Sequence, residues 1–247
     1  EERRVNWDVL DAWREAAIEC GIPAITEFNR GDNFGVSYFQ MNQRRGARWS
    51  ATKGFLRPVL GRPNLRVIAD CMVERIIVEQ SDCGQNDGGL RASGVALRHK
   101  DGSVHVANAK KETLLAAGAI GSPQLLQLSG IGAGPLLQIN GIDVLHELPG
   151  VGENLHDHLQ IRSVYKVHNT VTMNHRARSL MGKLAMGLEY FIFKTGPLTM
   201  PPSQLGAFAR SHPECANPNM EWHVQPLSLD KFGDPLHRFD AITPAVC

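Results

Sequence analysis

Three short stretches of this chain hold residue types at spacings that could do chemistry. Gly130-Ile131-Gly132-Ala133-Gly134 has the texture of a phosphate cradle. A dinucleotide loop needs a third glycine where Pro135 stands, and a strand ahead of it where the pattern here predicts a helix. The stretch therefore reads as a glycine-rich turn between helices. His156-Asp157-His158 would place two imidazoles on one face of a strand, as a metal pair does, but no third ligand lies nearby in sequence. Gly35-Val36-Ser37-Tyr38-Phe39 begins like a nucleophile elbow and lacks its closing glycine, so a hydrolase triad has no anchor. Cys20, Cys71, Cys83, Cys215 and Cys247 are odd in number, scattered and without a CxxC pair, which suits reduced thiols in a cytoplasmic protein and predicts no metal site. Arg44, Arg45 and Arg48, with only Trp49 among them as an aromatic, read as solvated surface or a local anion contact.

The elements that must position such residues follow from periodicity. Val9, Leu10, Trp13, Ala16, Ala17 and Cys20 form one stripe of a helix over 7–20. Residues 29–47 read as an irregular loop, and Ser50 as the cap of a short helix reaching about 60. The texture then turns to β: strands are predicted at 65–68, 73–78, 95–98 and 104–106, with turns at Asp87-Gly88-Gly89 and Asp101-Gly102. A buried strand is expected at 111–117. Ser122-Pro123 then looks like a cap followed by proline at the first helical position, opening a helix over 124–128. A further short helix covers 135–139. A long amphipathic helix covers 178–194, with Leu180, Leu184, Leu188, Phe191 and Ile192 expected to face inward. Strands close the chain at 203–210, 219–227 and 239–247. The strand-turn-helix unit points to an α/β layer, the tail to a separate antiparallel sheet, and the change of texture to a break near 155–160.

Composition narrows the function classes. In 247 residues, Lys+Arg 26 against Asp+Glu 25 leaves a formal charge of +1, which offers no field for a polyanion and predicts no nucleic-acid partner. No apolar run approaches the roughly 18–20 residues that cross a bilayer, so no transmembrane segment is expected.

Residues 118–132, Gly118-Ala119-Ile120-Gly121-Ser122-Pro123-Gln124-Leu125-Leu126-Gln127-Leu128-Ser129-Gly130-Ile131-Gly132, add what spacing alone does not. They resemble, at every constrained position, the second signature of the glucose-methanol-choline (GMC) flavoprotein oxidoreductases. Gly46-Ala47-Arg48-Trp49-Ser50 with Gly54-Phe55-Leu56 resembles the family's GxRxS…YL element, with Phe for Tyr. Arg62-Pro63-Asn64-Leu65, Val73-Glu74-Arg75-Ile76 and the run Leu148-Pro149-Gly150-Val151-Gly152-Glu153-Asn154-Leu155-His156-Asp157-His158 follow in family order. Gly196-Pro197-Leu198-Thr199 and Gly206-Ala207-Phe208 are similar to segments of the choline dehydrogenase-like branch.

The resemblance implies an α/β FAD-binding domain, incomplete here, plus an α+β substrate domain with an antiparallel sheet. It assigns 1–45 to a substrate-side connecting segment, 46–157 to part of the FAD-binding domain and 158–247 to part of the substrate-binding domain. It implies FAD as cofactor, with the backbone of Val73 at the adenine edge and small Ala117 and Gly118 allowing close approach of the chain to the adenosine end. It makes His156 and His158 structural. Its activity is oxidation of a small alcohol to an aldehyde by hydride transfer to flavin, with oxygen or a quinone as the electron acceptor. The loop after Ser37 and the segment around 200–208 shape its pocket, and Tyr38, Glu221 and Trp222 are of types that could meet an ammonium group. The family's catalytic His is expected beyond Cys247 and its GxGxxG before the first residue, so this chain is expected to hold no catalytic residue and not to turn over alcohols alone. A non-catalytic scaffold or interaction domain is the alternative.

Overall fold

A computed structural model describes residues 3–80, 89–231 and 233–247; Cys83 and the turn expected at Asp87-Gly88 lie outside them. In chain order the elements are α1 (Asp8–Glu19), β1 (Gly35–Tyr38), β2 (Gln43–Arg44), β3 (Ala47–Arg48), β4 (Cys71–Gln80), β5 (Leu90–His99) and β6 (Val104–Asn108). Next come α2 (Gly118–Leu128), β7 (Ile131–Gly132), α3 (Gly134–Ile139), β8 (His146–Glu147), β9 (Ile161–Arg162) and β10 (Tyr165–Lys166). α4 (Met173–Ala177), α5 (Leu180–Phe193), β11 (Leu205–Ala209), β12 (Met220–Gln225) and β13 (Ala241–Val246) complete the chain. They divide into two compact units, Glu1–Gly61 with His158–Cys247, and Arg62–Asp157.

The first unit is built on a six-stranded antiparallel sheet in the order β1-β11-β12-β13-β10, with β9 also paired to β13. Strand alternation sorts its side chains. Leu205, Ala207 and Val224 join Val36 and Ile242 in a core that α1 closes with Val9, Leu10 and Ala17. Leu10, Val36, Leu205 and Val224 are fully buried, each worth about 1.5–3 kcal/mol in transfer from water. Asp8 and Asp11 in the first turn of α1 sit where the helix dipole favours negative charge. A buried polar hub lies at one side: Asn174 Nδ2 donates to the Ser228 and His237 carbonyls, both at 3.0 Å, and its Oδ1 accepts from Ser228 N at 2.9 Å.

Two expectations for this unit need correction. The loop predicted over 29–47 contains β1, an outer strand of the main sheet, because Val36 and Ser37 bury between β11 and the chain at Ala24. Four residues among Asn, Gly and Phe give too short a period to see. The inward stripe of α5 is outward: Leu180 is 83% exposed and Phe191 75%, and Leu184, Leu188 and Ile192 are exposed as well, with only Met186 buried. Periodicity reports which side chains need cover; it does not say that the same stretch of chain provides it. The helix itself is well delimited, since Ser179 Oγ accepts from Gly182 N at 3.0 Å and Lys194 ends it at φ 55°.

The second unit carries a three-stranded antiparallel sheet, β4-β5-β6, with a bulge between Val73 and Arg75. Its buried apolar side chains are Ile76, Ala96, Leu97 and Leu137. The strand expected at 65–68 is irregular, and 111–117 runs without a strand partner among the described residues, with Leu114 82% exposed. Apolar runs make a strand only where a ladder takes their N–H and C=O groups. The helix placed at 124–128 starts six residues earlier, at Gly118, whose φ of +84° suits a residue without a Cβ. Ser122 caps backward rather than forward: its Oγ accepts from Ala117 N at 3.0 Å. The glycine-rich turn is partly strand, as β7 pairs in parallel with β8 and Gly134 N donates to both Glu147 carboxylate oxygens.

Candidate functional site

The sheet of the first unit has two faces, and the one opposite α1 carries polar chemistry. On β12, Trp222 and Val224 turn toward the core, so Glu221 and His223 project from the other face. β11 places Gly206 beside His223 and Phe208 beside Glu221. A Cβ on Gly206 would run into the Phe39 ring, so glycine lets Phe39 lie down on the sheet. There Phe39 packs against Phe28 at 5.3 Å and against the His223 imidazole at 5.4 Å, while Phe28 meets Phe208 edge-on at 5.0 Å. His223 Nε2 lies 3.0 Å from Glu221 Oε1. A histidine clamped by an aromatic ring and a carboxylate has its orientation fixed.

Above this face opens a cavity of about 700 Å³, within the size range of small-molecule sites. The chain after Ser37 (Phe39, Met41, Gln43) forms one wall and Leu198 to Ser203 the other, closed by Tyr190, Arg48 and His223. Both segments expected to shape a pocket thus line the same one. Arg48, one of the basic cluster, faces it, whereas Arg44 stacks 5.0 Å from the Trp49 ring. The lining is apolar and amide-rich, with His223 and Arg48 as its groups able to carry positive charge.

The three residues named for ammonium binding are dispersed. Glu221 is paired with His223. Trp222 faces a smaller hollow of about 320 Å³ on the α1 side with Trp13 and Tyr165. Tyr38 is committed to structure: its hydroxyl donates to Asp11 Oδ1 at 2.5 Å, and the Arg3 guanidinium lies 3.4 Å from its ring centroid. Burial first, and the bond to Asp11 second, push the phenol's pKa above its ordinary value of 10. His223 and Tyr190 are the residues the sequence reading passed over. Alternation along 219–227 pairs His223 with Glu221 on one face, and that was the available signal.

In the second unit, Val73 is half-buried on the outer strand β4, whose second edge has no strand partner among the described residues. Ala117 and Gly118 form the exposed start of α2, and a Cβ on Gly118 would meet nothing within 4 Å. What joins their elements is Ser129, whose Oγ accepts from Ile76 N at 2.8 Å and donates to Leu125 O at 2.5 Å. A groove of about 570 Å³ runs along α2, lined by Ala119, Ile120, Gln127, Gly152, Asn154 and His156. An unpaired strand edge, an uncluttered backbone at Gly118 and an adjacent groove fit an extended dinucleotide. His156 lines that groove and Asp157 and His158 are exposed, and the three do not group into a metal site.

Comparison with known proteins agrees. Residues 2–160 match the family description GMC oxidoreductase. The chain is 35% identical over 230 residues to mitochondrial choline dehydrogenase of Mus musculus, covering 93% of this chain and 37% of that protein. It is 35% identical over 221 residues to an alcohol dehydrogenase [acceptor] of Pseudomonas putida, covering 89% of this chain and 38% of the relative. A solved formate oxidase superposes with a TM-score of 0.82 at 22% identity, covering 99% of this chain and 46% of that one, a likeness of fold. The chain thus spans under two fifths of the length of these curated relatives.

Proposed function

The chain belongs to the GMC oxidoreductase family, whose cofactor is FAD, and from that premise we propose that it forms the substrate wall and part of the cofactor wall of an enzyme that oxidises alcohols. Flavin supplies the hydride acceptor when bound. The observation that carries this reading is the cavity of about 700 Å³ over the polar sheet face, with His223 held in place beneath it. Phe39, Met41, Leu198 and Met200 exclude water from a bound alcohol's carbon chain, and Gln43 and Arg48 offer donors to its oxygen. In the second unit, the backbone of Val73 holds the adenine edge, and Ala117 and Gly118 leave room for the adenosine end. The general base belongs to polypeptide outside these residues, so the 247-residue chain alone is inactive. A neutral alcohol suits the cavity better than an ammonium alcohol, since the Arg48 guanidinium lines it.

The test uses a polypeptide carrying this sequence at the length of its relatives. Its flavin absorption should be present on purification and should bleach anaerobically with an alcohol. Loss of Gly118's openness by Gly118→Leu should lower flavin content, and Gly206→Leu should raise KM through Phe39. A protein that binds no flavin, or a flavin that no alcohol of a broad panel reduces, leaves the scaffold reading instead. Oxygen uptake during turnover separates an oxidase from an enzyme that needs a quinone.

A further inference from the structure

On the polar sheet face, three side chains of different donor chemistry converge. Glu221 and Cys247 stand directly opposite each other across neighbouring strands, joined by both backbone bonds: Cys247 N donates to Glu221 O at 2.8 Å, and Glu221 N to Cys247 O at 3.1 Å. His223 lies two residues along β12 from Glu221, and hence on the same face. One carboxylate oxygen, one imidazole nitrogen and the Cys247 Sγ all lie within 4.8 Å of one another, and all three residues are half-buried. The scaffold is rigid where it matters. The strand pairing holds Glu221 against Cys247, and Phe39 packs on the His223 ring. Gln160 Nε2 lies 3.2 Å from the thiol sulfur, a donor that fixes its direction.

The geometry points to a binding site for a borderline-soft divalent cation, of which Zn²⁺ is the best match, held by Glu221, His223 and Cys247. Mixed O, N and S donors suit such an ion and disfavour Ca²⁺ and Mg²⁺, which take oxygen. With bonds of about 2.0–2.3 Å to each donor, ligands of one ion stand about 3–4 Å apart, so small side-chain rotations close the present spacing. On binding, the Cys247 thiol gives one proton to solvent, and the Glu221–His223 contact opens so that both turn their lone pairs to the metal. Three protein ligands leave a fourth position for water or another ligand. His223 also borders the large cavity. This site is independent of the alcohol-oxidising reading: it requires neither flavin nor turnover.

Cobalt(II) titration of the 247-residue chain tests it, because a thiolate ligand gives a charge-transfer band in the near ultraviolet that oxygen and nitrogen ligands do not. One equivalent of Co²⁺ should saturate the band, and Zn²⁺ should displace it. Cys247→Ser should abolish the band. Glu221→Gln should weaken Zn²⁺ binding by about tenfold or more, since even groups behind the ligands cost about 10–100-fold. Cys20→Ser, Cys71→Ser and Cys215→Ser should leave the band unchanged. A measurement without variants guards against misfolding: Zn²⁺ should slow alkylation of Cys247 in the unaltered chain, read by mass spectrometry, and leave Cys20 as reactive as before. The proposal is overturned if no thiolate band appears, if the band survives Cys247→Ser, or if Zn²⁺ does not protect Cys247.

Discussion

The two units solve the problem of burial differently. The unit built on the six-stranded sheet owns its core: α1 covers one face, and Leu10, Val36, Leu205 and Val224 are sealed within it. The unit of Arg62–Asp157 holds the longest family signature yet, among its described residues, buries only Ile76, Ala96, Leu97 and Leu137 of its apolar side chains, while Leu114, Ile120, Ile139 and Leu155 stay exposed. A sequence motif and a self-sufficient core are thus different properties. Ala117 and Gly118 are small and exposed, and such residues leave the backbone accessible while contributing little to packing.

The largest effect expected from this contrast is on the core of the first unit. Leu10→Ala should cost about 2–5 kcal/mol, because the residue is fully buried between α1 and the sheet and the cavity it leaves is walled by strands that cannot collapse. Urea unfolding followed by tryptophan emission reads it, since Trp7, Trp13 and Trp222 belong to or pack on that core. A cost under about 1 kcal/mol would mean that α1 is not the lid of this sheet.

Ser129→Ala probes the second unit, where the Ser129 hydroxyl ties α2 to β4. Removing it leaves the buried Ile76 N–H without its acceptor, at about 1–3 kcal/mol. Hydrogen exchange at Ile76 should accelerate while exchange in β11 and β12 stays unchanged. Acceleration in both would show the two units unfolding as one.

The sequence made these two designs legible to different degrees. α1, β4, β5 and β11 to β13 follow period and alternation because buried apolar side chains on them meet partners within the chain, while β6 forms as expected through its ladder to β5 with Val104 and Val106 exposed. α5 follows its period too, but the stripe of Leu180 and Phe191 is exposed, so the stripe faces outward where the period alone predicts inward. The run 111–117 is apolar enough for a strand and has no ladder among the described residues. The walls of the large cavity were legible through the family resemblance. His223 was not, because its role depends on a glycine at 206 that admits Phe39, a contact between residues far apart in the chain.

A smaller effect depends on pH. The pKa of Tyr38 is raised on folding, chiefly by burial and then by its bond to Asp11. The unfolded chain releases this proton near pH 10, as free tyrosine does, while the folded chain retains it. Above that pH the folded state binds more protons than the unfolded one, so stability falls as pH rises; below it the group adds no slope. Between about pH 9 and 11 the urea midpoint of the parent should therefore drop more steeply than that of Tyr38→Phe. Parallel profiles would show that Tyr38 is solvated, and would loosen the Arg3–Tyr38–Asp11 packing that closes the first unit beside α1.

The smallest effect sharpens the contrast most. Leu114→Ser and Ile120→Ser change large apolar residues that are 82% and 72% exposed, so in this chain each should move stability by no more than about 0.5 kcal/mol. In ordinary core positions the same changes would cost several times that. If the second unit gains its burial from the rest of a longer polypeptide and from FAD, the identical substitutions at the length of the relatives should become costly and should lower flavin content together with thermal midpoint. An unchanged midpoint there would mean that these side chains are surface in every context, and that the second unit holds its shape through Ser129, the Glu147–Gly134 bonds and its sheet alone.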